Sequence, residues 1–262
     1  MHLIDSHCHL DRVDLSPYDN SFDAMLDAAR ESGVDHMLCV SIDLESYPAM
    51  LDLIDSHPEI SVSVGVHPND HDRREPSVGE LVELASHPKN VAIGETGLDY
   101  FRSERDACDW QRERFRTHIR AANACGKPLI IHTREAREDT IRILREENAG
   151  QARGVMHCFT ETWEMAQQAM ELGFYISFSG IVTFRNAAEL REVATKVPLE
   201  RMLIETDSPY LAPTPYRGKP NEPTYVGRVA ETIAELRGMR AEELAGITSE
   251  NFYRLFAAAQ PA

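Results

Sequence analysis

From one end to the other, the chain alternates between two patterns of hydrophobic and polar positions. Short, mostly apolar runs occur at Leu3–Leu10, His36–Ile42, Ile60–His67, Val91–Asp99, Pro128–Arg134, Gly154–Phe159, Phe174–Gly180 and Met202–Pro209. Runs of this length predict buried strands. Between them, apolar residues recur with helical spacing over 21–33, 46–58, 78–88, 105–126, 135–149, 162–173 and 186–198. Two more helices, over 225–238 and roughly 241–256, follow the eighth strand. Gly33, Gly126 and Gly173 close helices, and Pro58, Pro88 and Pro198 follow others. Alternation of this kind predicts a parallel sheet with crossover helices. Eight such units in 262 residues suit an α/β fold, a single-domain (β/α)8 TIM barrel; an open doubly wound sheet is the competing arrangement. The Pro-rich stretch 209–223 reads as a stiff, ordered surface loop.

The exceptions to the apolar pattern carry the chemistry. Parallel strands are buried on both faces and should be apolar throughout. Here the first strand ends in His7 and His9, which share a face, with Cys8 on the other. The third ends in His67, the fourth carries Glu95, and the fifth ends in His132 and Arg134. The sixth ends near His157, and the eighth carries Glu205 and Asp207. Any one of these groups could satisfy itself alone, as core histidines do. Their recurrence at the same end of successive strands, where barrels build their sites, points to a shared metal centre. His7, His9, His132 and His157 with Glu95 and Asp207 make six ligands, more than one tetrahedral zinc needs. Two divalent ions, Mg²⁺, Mn²⁺ or Zn²⁺, bridged by Glu95 and a water would use them all. Two carboxylates would then leave a net positive pocket, suited to an anionic group such as a phosphodiester.

Charge narrows the partners. The 27 basic and 43 acidic residues leave −16, which argues against a broad face coating nucleic acid but not against a small positive pocket. The N-terminus shows no basic segment followed by an apolar one, and no run approaches the ~18 apolar residues of a membrane span, so neither export nor membrane association is expected. Five scattered cysteines fit a reducing, cytoplasmic setting better than a disulfide framework.

Over essentially its whole length the sequence resembles the TatD family of metal-dependent deoxyribonucleases, within the amidohydrolase superfamily. The resemblance rests on Asp5-Ser6-His7-Cys8-His9, Gly65-Val66-His67-Pro68, Gly94-Glu95-Thr96-Gly97-Leu98-Asp99, Ile131-His132-Thr133-Arg134, His157-Cys158-Phe159 and Glu205-Thr206-Asp207-Ser208-Pro209-Tyr210-Leu211. It implies a first metal held by His7, His9, Glu95 and Asp207, and a second held by Glu95, His132 and His157. Many two-metal relatives in the superfamily bridge their ions with a carboxylated lysine on the fourth strand. Glu95 in that place fits the nuclease branch. The family also implies trimming of single-stranded DNA from the 3′ end, in DNA repair.

Around this centre, Asp207 is a metal ligand and the candidate proton acceptor, while Glu205 and His67 would orient water, substrate or leaving group. Arg134 shares the face of His132 and is a candidate phosphate clamp, or else pairs with a helix carboxylate. Tyr100 and Phe101 follow the fourth strand and either stack a nucleobase or cap the barrel. Arg217 and Lys219 contact phosphate or are solvated. Asp99 is placed to orient a ligand histidine. Cys8 and Cys158 are expected against the helix layer, and the face with Arg112, Glu113, Arg114 and Arg116 in solvent. The resulting expectation is a cytoplasmic, monomeric phosphodiesterase acting on single-stranded DNA 3′ ends. A deacylase or lactonase using the same metals is the alternative, and a non-catalytic metal-holding protein a third.

Overall fold

The computed structural model describes residues 1–69, 72–101 and 107–259. The strands are β1 Leu3–Cys8, β2 Val34–Cys39, β3 Ile60–Val64, β4 Asn90–Asp99, β5 Leu129–Arg134, β6 Gly154–Met156, β7 Phe174–Phe178 and β8 Met202–Ile204. They lie in chain order in one sheet, every hydrogen-bonded pair parallel. Helices α1 Phe22–Glu31, α2 Tyr47–Ile54, α3 Val78–Leu84, α4 Asp109–Cys125, α5 Arg137–Glu146, α6 Trp163–Glu171, α7 Ala188–Lys196 and α8 Val226–Arg237 follow the successive strands. A ninth, α9 Ala241–Leu255, completes the chain. This is the (β/α)8 barrel that the alternation predicts, not the open sheet. Residues 105 and 106 of the predicted fourth helix lie outside the described residues.

Local chemistry sets the boundaries. Ser21, Ser77 and Thr162 cap α1, α3 and α6 by accepting from the backbone N–H three residues on. Gly126 ends α4 in the left-handed conformation. In α4 the buried Phe115, Ile119 and Ala122 form one apolar stripe against the sheet. Truncating Phe115 to Ala would cost roughly 3–5 kcal/mol.

Two cores follow from the period-two alternation of the strands. One lies between the sheet and the helix ring. The other fills the barrel with Ile4, Leu38, Ala92, Ile130, Val155, Tyr175 and Leu203, and is plugged from below by Phe252, Leu255 and Phe256 of the α9 region. Its one buried imidazole at this end, His36, bonds Ser61 Oγ at 2.9 Å and packs on Phe252.

No ladder joins β8 to β1. The seam closes through Asp5, whose carboxylate accepts from Thr206 N at 2.9 Å and from the Thr206 hydroxyl. Asp207 N donates to His7 O at 2.9 Å and His9 N to Ser208 O at 2.8 Å. Burial pushes the Asp5 carboxyl up, to about 7, against the bonds from Thr206.

Candidate metal centre

At the C-terminal mouth the chain leaves regular strand geometry where the polar residues begin. β6 stops before His157, and β8 before Glu205, both three residues long. Cys158 (φ +43°) and Asp207 (φ +59°) take the left-handed conformation, which β-ladders exclude and which non-glycine residues adopt at a cost. Glu95 lies within β4, just after Gly94 (φ +148°). A Cβ on Gly94 would fall 2.7 Å from Ile130 O, and one on Gly65 would fall 2.5 Å from the Gly94 carbonyl carbon. These two glycines let the backbone after β3 and that of β4 and β5 close around the base of Glu95.

Glu95 is the hub. Its Oε2 lies 3.3 Å from His7 Nε2 and 3.8 Å from His9 Nε2. Asp207 Oδ1 lies 3.6 and 3.5 Å from the same two nitrogens, which are 3.4 Å apart. The other oxygen, Oε1, lies 2.8 Å from His157 Nε2, 3.2 Å from His132 Nδ1 and 3.3 Å from His67 Nε2. Burial pushes the Glu95 carboxyl up, but the His157 and His67 charges and hydrogen bonds from His132 and His157 outweigh it and hold it well below the ordinary value.

The donor set fits a divalent metal on three observations. Four donors at ~2.0–2.1 Å from one tetrahedral ion stand about 3.3–3.4 Å apart, close to the 3.3–3.8 Å that separate the nitrogens of His7 and His9 from the oxygens of Glu95 and Asp207. The remote ring nitrogens are anchored: His9 Nδ1–H donates to Val40 O at 2.9 Å, His132 Nε2–H to Asp99 Oδ2 at 3.1 Å, and His157 Nδ1–H faces Glu205 Oε1 at 3.3 Å. With the remote nitrogens of these three rings holding a proton, the nitrogens facing Glu95 or Asp207 would give up theirs to a metal, the tautomer a ligand needs. Finally, Glu95 is buried with imidazoles as its only ion-pair partners among the described residues, and its carboxyl stays ionised there, as a metal ligand must.

His67 differs from His9, His132 and His157. Its Nδ1 accepts from Asn69 N at 3.1 Å, so its Nε2 carries the proton and donates toward Glu95. Its segment is held from outside by His118, whose Nε2 accepts from Val66 N at 3.0 Å, and by Arg114, which donates to His67 O at 2.8 Å and pairs with Glu75. The sequence reading put the Arg114 face in solvent; Arg114 is instead buried, because its guanidinium is needed there.

A cavity of about 590 Å³ opens onto the centre, lined by His9, His67, Glu95, His132, His157 and Asp207, with Arg12, Asn69, Arg134 and Tyr210 toward its mouth. Arg134 thus reaches the cavity, its guanidinium stacked 3.6 Å from the Phe101 ring. Tyr100 does not line it: the side chain is buried, donating to Asp139 Oδ2 at 2.7 Å and accepting from Arg112 Nε. Arg217 is exposed outside the cavity lining, stacked 3.6 Å over Phe184, and Lys219 is exposed nearby in sequence. Glu205 is fully buried beneath the centre; its Oε1 accepts from Cys158 N at 2.7 Å and faces His157, so it braces that ring and does not reach into the cavity. Cys158 lines the cavity and does not pack on the helix layer, because its left-handed backbone reverses the side chain's direction; Cys8 is buried in the outer core as expected. The sequence reading does not single out Arg12, Asn69 or Tyr210. Their one signal is position: each lies two or three residues beyond a site residue, His9, His67 or Asp207.

Comparison with known proteins gives the family. Residues 4–257 match the family described as TatD related DNase. The chain is 49% identical to an uncharacterised metal-dependent hydrolase of Escherichia coli strain K12, YcfH, over 98% of this chain and 96% of that one. It is 35% identical to the 3′-5′ ssDNA/RNA exonuclease TatD of Escherichia fergusonii, over 89% of this chain and 92% of that one. The crystal structure of YJJV, a TatD homologue from E. coli K12, superposes with a TM-score of 0.87 at 27% identity, covering 97% and 98% of the two chains. The chain belongs to the TatD-related DNase family and is a metal-dependent hydrolase.

Proposed function

We propose that the chain hydrolyses phosphodiester bonds at the 3′ end of single-stranded DNA, with two divalent ions sharing Glu95. The observation that carries this reading is the division of one carboxylate: Oε2 toward His7 and His9, Oε1 toward His132 and His157. The 35% identity to a protein named as a 3′-5′ ssDNA/RNA exonuclease supports the substrate class. His7, His9, Glu95 and Asp207 would hold one ion, and Glu95, His132 and His157 the other. Ions bound there neutralise phosphoryl charge and lower the pKa of water.

The chain's own groups then have distinct tasks. Asp207, the ligand carboxylate at the cavity edge, accepts the proton of the attacking water. His67 donates its Nε2–H into the centre and orients what enters. Arg134 takes a phosphate oxygen at the mouth. The overall −16 charge suits an enzyme that admits a strand terminus to a pocket and does not track a duplex.

The test is degradation of an end-labelled single strand, resolved by mass, with Mg²⁺, Mn²⁺ or Zn²⁺ added. A ladder shortening from the 3′ end is expected. An intact strand, with turnover of a small lactone or amide instead, would assign the centre to carboxyl substrates.

A further inference from the structure

Among the described residues, three large hydrophobic side chains are exposed: Met1, Phe101 and Tyr210. Phe101 already carries the Arg134 guanidinium on its ring. Tyr210 is 51% exposed and lines the cavity. Its ring meets His9, one of the proposed ligands, at 6.0 Å between centroids and 67° between planes, and no aromatic or guanidinium group stacks on it among the described residues. Its hydroxyl has no hydrogen-bond partner there either. An aromatic face left in water at the mouth of a polar site needs a reason.

The backbone beneath this ring is fixed. Tyr210 N donates to Asp207 O at 2.9 Å. Buried Asn221 donates through Nδ2 to Tyr210 O at 2.6 Å and to Thr206 O at 2.8 Å, and its own N–H bonds Pro209 O. Leu211, the next residue, is left-handed at φ +58°. The backbone of Tyr210 is therefore held at a set distance from Asp207 while the faces of its ring stay open. Only two side-chain torsions are left to order when a flat partner settles on the ring.

We infer that Tyr210 is the specificity-determining residue that stacks on the unpaired base of the terminal nucleotide as its phosphate reaches the centre. The inference rests on the proposed function and deepens it. A base at a blunt duplex end keeps its partner strand beside it, whereas an unpaired base is free to splay out onto the ring, so Tyr210 converts strandedness into affinity. Stacking tolerates any base, since every base has a π-face.

The experiment compares two 3′ ends on the same labelled single strand, one with a normal terminal nucleotide and one abasic. Wild type, Tyr210→Ala and Tyr210→Phe are assayed with Mn²⁺, and metal content is checked by elemental analysis. Wild type should prefer the normal end about 5- to 100-fold in kcat/KM, carried mainly by KM, the range expected for one base–aromatic stack. Tyr210→Ala should lose that preference with its metal content unchanged, and Tyr210→Phe should keep it. Equal rates on both ends in wild type, or a preference that survives in Tyr210→Ala, overturns the stacking role alone. A wild type that degrades neither strand overturns the proposed function, and this inference with it.

Discussion

Asp99 holds His132 by the nitrogen that faces away from Glu95: Asp99 Oδ2 accepts from His132 Nε2 at 3.1 Å, while His132 Nδ1 stands 3.2 Å from Glu95 Oε1. Asn69 Nδ2 and Phe101 N also donate to this carboxylate. Against the cost of burial, these bonds pull its pKa down to about 2, so it is ionised at any working pH. Asp99→Ala should free the His132 ring and weaken metal affinity about 10- to 100-fold. Competition with a chelator of known affinity measures it; unchanged affinity would remove Asp99 from the centre.

Glu95 and Glu205 should separate under mutation. Glu95→Ala removes the shared carboxylate and should abolish both high metal occupancy and turnover. Glu205→Gln keeps an acceptor for Cys158 N and should retain most of the metal while slowing the reaction, because only the charge behind His157 is lost. Elemental analysis decides. Equal metal loss in both variants would show that the Glu205 charge holds the metal as firmly as Glu95 does.

Two histidines remote from the metal ligands set an acid limit on stability. Burial holds His36 and His118 neutral, each with its pKa lowered to about 4. An unfolded chain takes up these protons near 6.5, so stability present above that pH is lost as pH falls toward 4. By pH 5 each should cost about 2 kcal/mol. Urea unfolding at pH 7 and pH 5 reads the net, which Asp5, raised to about 7, offsets in the opposite sense, so a variant is needed to isolate a histidine. In His118→Gln, which can still accept from Val66 N, the difference between the two pH values should shrink by about 2 kcal/mol. A difference unchanged in that variant would mean that His118 is not the titrating group.

Binding of a non-cleavable single-stranded 3′ end should depend weakly on salt. Among the described residues two cationic side chains line the cavity, Arg12 and Arg134, which gives a slope of roughly −1.4 in log affinity against log salt. Arg134→Ala should flatten it by about 0.7. Fluorescence anisotropy across a salt series measures both. A slope near −5, or tighter binding to blunt duplex, would require an extended basic surface.

The barrel and the gathering of six polar groups at its mouth were legible because both depend on period: strands and helices alternate, and each polar residue sits at a strand end. What escaped was direction. His157 and Asp207 lie beyond short strands, and the left-handed backbone at Cys158 and Asp207 has no glycine to announce it. Strand parity therefore sent Cys158 to the wrong side. Arg114 was placed in solvent, and Tyr100 left between stacking a base and capping the barrel, for another reason: the polar tip of a large side chain has no address until its partners, His67 O for one and Asp139 for the other, are known.

The seam between β1 and β8 bears on when the centre can exist during synthesis. Asp5 and Thr206, which close it, are 201 residues apart in the chain. His7 and Asp207, on either side of the same seam, would share an ion. A chain still emerging from the ribosome holds His7 and His9 but has no Asp207 to offer. Metal capture at that position would thus be a late event, requiring the last strand to have docked on the first. Tight metal retention would certify a completed barrel, and a truncated or misclosed product would be marked by its inability to keep the ion.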